Sequence, residues 1–276
     1  MLNYKFKNVL SDIIDNAYSE ADYPNNKFKK FYLEIVNKEM KSIHGRYFPM
    51  DKKIQIFNLS RPTGHIVATS IHEVSHHIDH CIRDNSDHKK EFYTIMQKLL
   101  ITAMGMSIIT QEDILTANDS ADKERLIRYF GDIDTWDIPH FEYKEDVLTI
   151  KVFNCFSIKD KLKNRGYAYS AAEQCWVKDI DRNSEDDEKV FLSTIIDMKN
   201  VKIICGNEID IEAVCYICVL NSYDHREFLK ENGYLWNGYS VKKNSWTKKV
   251  LAKDKDIELA KVEELPGVKI CLVSRK

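Results

Sequence analysis

The strongest constraint on the fold is an internal duplication in the second half of the chain. The segment FNCFSIKDKLKNRGYAYSAAEQCWVK, which starts at Phe153, is similar to LNSYDHREFLKENGYLWNGYSVKKNSWTK, which starts at Leu220. Both copies contain Leu-Lys, then Gly-Tyr, and later Trp-x-Lys. A repeat of this length is one supersecondary unit, so the sequence predicts two tandem modules with the same fold.

The predicted order of elements is the same in the two copies. An apolar strand precedes a short helix that ends at Gly166 or Gly233, two strands follow, and a second helix leads to a last strand. The order β-α-β-β-α-β is the ferredoxin-like arrangement, in which a four-stranded sheet lies under two helices. We therefore predict two ferredoxin-like modules, over residues 148–208 and 209–276, after a linker at residues 132–147.

Residues 1–131 are predicted to form a separate and mostly helical domain. Apolar residues recur at helical spacing in five segments, which are residues 6–17, 28–40, 65–82, 89–103 and 110–129. Apolar and polar residues alternate over residues 42–48 and 53–59 about a Pro-Met-Asp turn, and this pattern predicts a β-hairpin. The predicted class of the whole chain is therefore α+β.

The composition favours a cytoplasmic globular protein. The 276 residues are 43% hydrophobic and 30% charged, which is not typical of a disordered or fibrous chain. No apolar run reaches the roughly 18 residues of a membrane span, and the first residues do not resemble a signal peptide. The seven cysteines are predicted to be reduced thiols, and the net charge of −2 gives no global attraction for nucleic acid. The usage of lysine, asparagine and isoleucine is typical of low-GC bacterial, plasmid or phage genes.

A cluster of histidines carries the clearest chemical signal. His72 and His76 are four residues apart in a predicted helix, so both imidazoles lie on one face, one turn apart. This spacing suits one zinc ion with bonds of about 2.0–2.1 Å to each nitrogen. Glu73 stands beside the first ligand, where its carboxylate can reach a metal-bound water. The pattern HExxH on a helix is the zincin signature.

Two histidines compete to be the third ligand. His88 follows an Asn-Ser-Asp turn and opens the next predicted helix, so the chain can return it to the metal. His80 lies on the same helix as the first pair, but about 12 Å of rise separates it from His72, which is poor geometry for one ion. We favour His88.

The segments SIHEVSHHIDH and HKKEFYTIMQKLL resemble the SprT-like metallopeptidases, a family that includes bacterial SprT proteins and the eukaryotic Spartan proteases, which degrade proteins crosslinked to DNA. The resemblance covers roughly residues 1–100 and is specific from residue 56 onward. It implies a zincin-like domain with His72, His76 and His88 as zinc ligands, Glu73 as the base and a protein as substrate. Lys89 stands where the family usually has glycine, and the family's zinc ribbon is absent.

The resemblance also implies a mechanism, in which zinc lowers the pKa of a bound water and Glu73 takes its proton. By analogy with zincins, the strand at residues 53–59 is expected to be an edge strand that pairs with an extended peptide. Tyr93 and His77 are the candidates for stabilising the oxyanion. The alternative is a non-catalytic binding or regulatory protein in which zinc staples the helices.

The tandem modules are predicted to recruit either the protein substrate or nucleic acid, and they have a candidate nucleic-acid surface. Aromatic residues lie on the predicted strands of both copies: Tyr167, Tyr169 and Trp176 in the first, and Tyr234, Trp236, Tyr239 and Trp246 in the second. On an exposed sheet face, such rings bind single-stranded nucleic acid. Lys242, Lys243 and Lys248 make the second copy locally basic. Trp176, Trp246 and these lysines are therefore predicted to contact single-stranded or damaged DNA, although small sheets also use large aromatic residues as core.

Overall fold

The structure is a computed structural model that describes residues 2–19, 21, 26–36, 38, 40, 42–117, 120–170, 174–209 and 214–273. Over these ranges the chain is a mixed α+β protein with one three-stranded and two four-stranded sheets. No helix in the described ranges combines the length and the apolar character that crossing a bilayer requires.

The N-terminal part consists of helices that pack on a small sheet. Its elements are α1 (Leu2–Ala17), β1 (Tyr32–Ile35), β2 (Gly45–Phe48), β3 (Lys53–Ile56), α2 (Thr63–Arg83), α3 (Lys90–Gly105), α4 (Gln111–Thr116) and α5 (Ser120–Phe130). The predicted hairpin is present, because β2 pairs with β3 in antiparallel register. The predicted helices at 6–17, 65–82 and 89–103 correspond to α1, α2 and α3. The segment 110–129 is divided into α4 and α5.

The helix predicted over residues 28–40 is wrong. The chain makes only a short 3-10 turn at Lys27–Lys29 and then forms β1, which pairs in parallel with β3. Leu33 and Ile35 are partly buried while their neighbours Tyr32 and Glu34 are exposed, which is the alternation of a strand. A short apolar pattern is compatible with either period, and pairing with β3 decides in favour of the strand.

The prediction that the strand at residues 53–59 is an edge strand is also wrong. The order of the sheet is β1-β3-β2, so β3 lies in the centre and β2 is an edge. The centre is the natural place for β3 because Ile54 and Ile56 are completely buried under the helices. The edge that faces solvent beside the histidines therefore belongs to β2.

Helix α2 is the central element of the first hydrophobic cluster. Its residues Ile66, Ile71 and Ile78 are fully buried and pack with α1, α3 and the sheet. The region predicted as a linker also contributes to this cluster, because Trp136 and Tyr143 are buried in it. The Tyr143 hydroxyl donates a hydrogen bond of 2.7 Å to Asp12 on α1.

The two copies of the duplication have the same order of elements. The first contains β4 (Val147–Val152), α6 (Lys159–Asn164), β5 (Ala168–Ser170), β6 (Cys175–Asp181), α7 (Glu185–Ser193) and β7 (Val201–Cys205). The second contains β8 (Val214–Leu220), α8 (Arg226–Glu231), β9 (Leu235–Trp236), β10 (Trp246–Leu251), α9 (Lys255–Glu263) and β11 (Lys269–Val273). Both sheets are antiparallel, with the orders β5-β6-β4-β7 and β9-β10-β8-β11.

The copies also share a core. Leu162 and Leu229, at equivalent positions of α6 and α8, are completely buried in separate hydrophobic clusters. A buried glutamate on the second helix of each copy binds a strand lysine, with Nζ–Oε distances of 3.0 Å for Lys178–Glu188 and 2.7 Å for Lys248–Glu258. Each module therefore has its own core of the same design.

We expect a substitution that shortens a buried leucine in one module to destabilise that module and not the other. Leu162→Ala should lower the free energy of opening in β4 to β7 by about 2–5 kcal/mol, and Leu229→Ala should do the same in β8 to β11, because each leaves a cavity. Amide hydrogen exchange measures both. Lys163→Ala and Lys230→Ala, exposed in the same helices, are the controls. Equal loss of protection in both modules from either leucine substitution would contradict separate cores.

Candidate metal centre

Three imidazoles meet at the middle of α2. The Nε2 atoms of His72 and His76 are 3.1 Å apart, and each lies 3.2 Å from the Nε2 of His88. The first two come from successive turns of α2, and the third follows the turn between α2 and α3. Among the described residues, these three histidines form a group whose ligand atoms could hold one metal ion.

Ion pairs hold the turn that brings His88 back to α2. Arg83 donates two hydrogen bonds, of 2.7 and 2.6 Å, to the fully buried carboxylate of Asp79, and a third of 3.0 Å to Asp87. Helix α2 ends at Arg83, and the next residue, Asp84, adopts the left-handed conformation with a φ of 56°. Bidentate arginine–carboxylate pairs are geometrically strict, so this contact holds the turn against the helix.

His80, the competing third ligand, is not part of the histidine cluster. Its Nε2 atom lies 3.8 Å from Asp84, and its ring stands 6.3 Å from that of Tyr47. The aromatic ring of Phe92 supports the three clustered imidazoles instead, with centroid distances of 5.0 Å to His72, 4.4 Å to His76 and 5.1 Å to His88. Because Phe92 is completely buried in the close-packed core, its ring holds the three imidazoles in place from below.

Polar partners orient the outer nitrogens of two rings. The Nδ1 of His72 lies 2.7 Å from the carboxylate of Asp122 on α5, and the Nδ1 of His76 lies 2.7 Å from the hydroxyl of Ser86. The Tyr93 hydroxyl donates a 2.7 Å hydrogen bond to the other oxygen of Asp122. A carboxylate only accepts, so His72 carries a proton on Nδ1, and in the neutral ring Nε2 is then a lone pair.

The electrostatics disfavour protonation of two of the three imidazoles. Burial, together with the neighbouring His72 and His88, lowers the pKa of His76 to about 3. Burial and His72 also lower the pKa of His88. Burial alone would raise the pKa of Asp122, but hydrogen bonds from His72 and Tyr93 outweigh it, so the net pKa lies below its usual value. His76 and His88 are therefore held neutral, next to the partly buried carboxylate of Asp122.

This arrangement has the spacing of a metal site. Two lone pairs that point at each other from about 3 Å repel unless a proton or a cation lies between them. In a tetrahedral site with bonds of about 2.0–2.1 Å, neighbouring ligand atoms are about 3.3 Å apart, close to the spacing of the three nitrogens. A partner on the outer nitrogen of a ligating histidine is also the usual second layer of such a site.

Glu73 lies beside the cluster and packs against the edge strand. Glu73 is buried, with 6% of its surface exposed. Gly45 of β2 is so close to it that a Cβ atom at position 45 would lie 2.7 Å from both Cγ and Oε1 of Glu73. The carboxylate thus occupies the space that a side chain on β2 would fill. Gly45 therefore allows Glu73 and the edge strand to come together.

The histidines and Glu73 line a cleft of about 490 Å³. One wall is α2 with the following turn, and the other is β2 and Pro49. Tyr93 and His77, the candidates for stabilising an oxyanion, are not among the described residues that line this cleft. His77 is completely buried, with the Tyr47 hydroxyl 3.1 Å from its Nδ1, and Tyr93 is held by Asp122.

Sequence reasoning missed Asp122, Ser86 and Gly45. Asp122 is 50 residues from His72 along the chain, and only the packing of α5 against α3 brings it near. Ser86 lies inside the Asn-Ser-Asp turn, where a role as a turn former explains it equally well. Gly45 is a lone glycine in a strand, which is a known but weak signal of close backbone approach.

The residues predicted to bind nucleic acid are placed differently from expectation. Trp176 and Trp246 are half-buried against the hydrophobic clusters of their modules, and Tyr167 and Tyr234 are buried. Side chains two residues apart on a strand share a face, and Lys178 pairs with a helix, so Trp176 also faces the helices. Tyr167 and Tyr234 are therefore core residues, and Trp176 and Trp246 are only partly accessible.

The three predicted lysines differ in their surroundings. Lys248 forms the ion pair with Glu258 described above, and its charge is therefore already compensated. Lys242 and Lys243 are exposed in the loop between β9 and β10. Only these two remain available as phosphate contacts among the lysines that the sequence singled out.

Comparisons with models of known protein families, with curated protein sequences and with solved structures found no match to this chain.

We expect Asp122 to set the metal affinity of the cluster. Asp122→Asn removes the negative charge that polarises His72, so the affinity for zinc should fall about 10- to 100-fold. Competition with a chromophoric chelator measures the change. Glu124→Gln, an exposed position on the same helix, should leave the affinity unchanged. Equal affinities for wild type and Asp122→Asn would show that the carboxylate does not act on the metal.

Proposed function

We propose that this protein is a zinc-dependent endopeptidase of the SprT-like type. The observation that carries the proposal is the convergence of three Nε2 atoms within 3.2 Å of one another beside the carboxylate of Glu73. Metallopeptidases need three protein ligands, a nearby base and room for a substrate. The cleft of about 490 Å³ provides the space for a substrate.

In this proposal, His72, His76 and His88 would hold the ion. When bound, zinc would supply a Lewis acid that makes the attacking water more acidic and polarises the scissile carbonyl. Glu73 takes a proton from the attacking water on its carboxylate and passes it to the nitrogen of the leaving amine. Its packing against Gly45 restricts where the carboxylate can stand. Asp122 and Ser86 hold the imidazole rings of His72 and His76 in place.

The edge strand β2 is the proposed site for an extended protein substrate. It forms one wall of the cleft and is paired only with β3 among the described strands. The free edge offers backbone groups that a peptide can bind by adding a further strand. This assignment replaces the strand at residues 53–59 as the predicted substrate edge.

We also propose finer fold assignments. The helix that bears HExxH, lying beside the edge of a small sheet, supports a zincin-like fold for the N-terminal part. For the C-terminal modules, support comes from the β-α-β-β-α-β order, in which the first strand is paired with the third and the fourth. That pairing is compatible with the ferredoxin-like arrangement.

The alternative function is a binding or regulatory protein stapled by zinc. Structural zinc sites are usually closed by four protein ligands. Here His88 is exposed, and the cluster opens into a cleft that also contains Glu73. These features favour catalysis over a structural staple.

Glu73→Gln separates the two functions. We expect the variant to bind zinc as wild type does but to cleave a dye-labelled unfolded protein such as casein at least about 100-fold more slowly, because the general base is lost. Glu91→Gln, an exposed glutamate on α3, is the matched control. If zinc-loaded wild type does not cleave, or if Glu73→Gln cleaves equally well, the zinc-stapled alternative is the better account.

Gly45→Ala tests the position of the base. The added methyl group displaces the Glu73 carboxylate, so cleavage should slow by about 10- to 100-fold while zinc affinity stays the same. Met50→Ala, at a 95% exposed position of the same hairpin, should not change the rate. An unchanged rate in Gly45→Ala would mean that the base does not depend on this contact.

A further inference from the structure

Each module exposes an aromatic ring at the same place, directly after its first strand. Phe156 is 83% exposed and Tyr223 is 77% exposed. A cation lies over each ring, with Lys159 Nζ 4.9 Å from the centroid of Phe156 and the guanidinium of Arg226 5.1 Å from that of Tyr223. The two positions are equivalent in the duplication.

A second pair of rings stands on the edge strands of the two sheets. Tyr169 on β5 is directly opposite Trp176, with ring centroids 5.7 Å apart, and Trp236 on β9 is directly opposite Trp246 at 5.8 Å. Tyr169 and Trp236 are about half exposed. We call Phe156, Lys159, Tyr169 and Trp176 the first aromatic cluster. We call the residues at the equivalent positions of the second copy, Tyr223, Arg226, Trp236 and Trp246, the second aromatic cluster.

The chemical type of the clusters is the same in both copies, although their surroundings differ. When the two copies are aligned, each aromatic residue of the first cluster aligns with an aromatic residue of the second, and Lys159 aligns with Arg226. Some exposed positions of the same segment have changed type, since Ser157 aligns with Asp224 and Lys161 with Phe228, whereas Lys163 and Lys230 are identical. Because the largely exposed rings of Phe156 and Tyr223 add nothing to a core, a shared binding role explains their similarity better than packing does.

The first aromatic cluster lines a cleft of about 580 Å³, a size typical of small-ligand sites. Phe156, Tyr169 and Trp176 provide its aromatic surface. Two cations border it, Lys159 from the first module and Lys249 from the second, and Lys249 binds the side-chain amide of Gln174 at the rim. The cleft therefore combines flat aromatic faces with positive charge.

We propose that the two aromatic clusters bind single-stranded nucleic acid. Rings in such sites stack on bases, and nearby cations contact the phosphates. Proline-rich peptides also use aromatic grooves, but they bring no negative charge to the lysines. The first cluster is the stronger site, because Arg226 of the second is 3.4 Å from Glu227 and is partly compensated. The proposal concerns residues outside the metal centre and does not depend on the proposed peptidase activity.

Fluorescence anisotropy of labelled single-stranded oligonucleotides of about 15 nucleotides, deoxy and ribo, tests the proposal on the full chain. We expect wild type to bind, with zinc or without it. Phe156→Ala should weaken binding about tenfold, and Phe156→Ala with Tyr223→Ala should weaken it further, because each ring stacks on a base. An abasic strand of the same length should bind wild type about tenfold more weakly than the strand with bases.

Val190→Ala and Ile257→Ala are the matched controls, since they remove exposed apolar side chains from the second helix of each module and should leave binding unchanged. Circular dichroism checks that every variant is folded. No binding by wild type, equal binding of abasic and normal strands, or an unchanged affinity in the double variant would overturn the proposal. Tighter binding of a proline-rich peptide than of the oligonucleotides at the same clusters would also overturn it.

Discussion

The site depends on holding three imidazoles with their Nε2 atoms directed at one point. These nitrogens are 3.1–3.2 Å apart, a separation at which two lone pairs repel unless a proton or a cation lies between them. Asp122 and Ser86 fix two of the rings from outside, and the buried ring of Phe92 supports all three. The fold therefore maintains a geometry that could hold one metal ion, and the proposed chemistry of Glu73 depends on that ion.

The sequence predicts the part of this site that is local. The spacing of His72 and His76 sets their shared face, because helix geometry alone determines it, and a short turn suffices to return His88. Asp122 and Gly45 were not predicted, since contact between distant segments brings them to the cluster. The same limit explains the errors in the fold. The segment at residues 28–40 fits helical spacing, but pairing with β3 makes part of it a strand, and this moves the edge of the sheet to β2.

In the modules too, local spacing in the sequence predicted the elements, but it did not predict which side chains their packing would bury. Their order of elements follows from spacing within each copy, and it is found in both. The face that each aromatic side chain occupies was not predictable in this way, because it depends on which helices cover the sheet. Trp176 and Trp246 are half-buried, whereas Phe156 and Tyr223, which the sequence did not single out, are largely exposed. The surface that carries charge and aromatic rings lies at the sheet edge and before the first helix of each copy.

The most direct measurement of the central claim is zinc K-edge X-ray absorption on the purified, zinc-loaded chain. We expect one zinc per chain, with three imidazole nitrogens and one further light atom at about 2.0–2.1 Å. Sulfur in the first shell, fewer than three imidazoles, or failure of the folded chain to retain zinc would contradict the account.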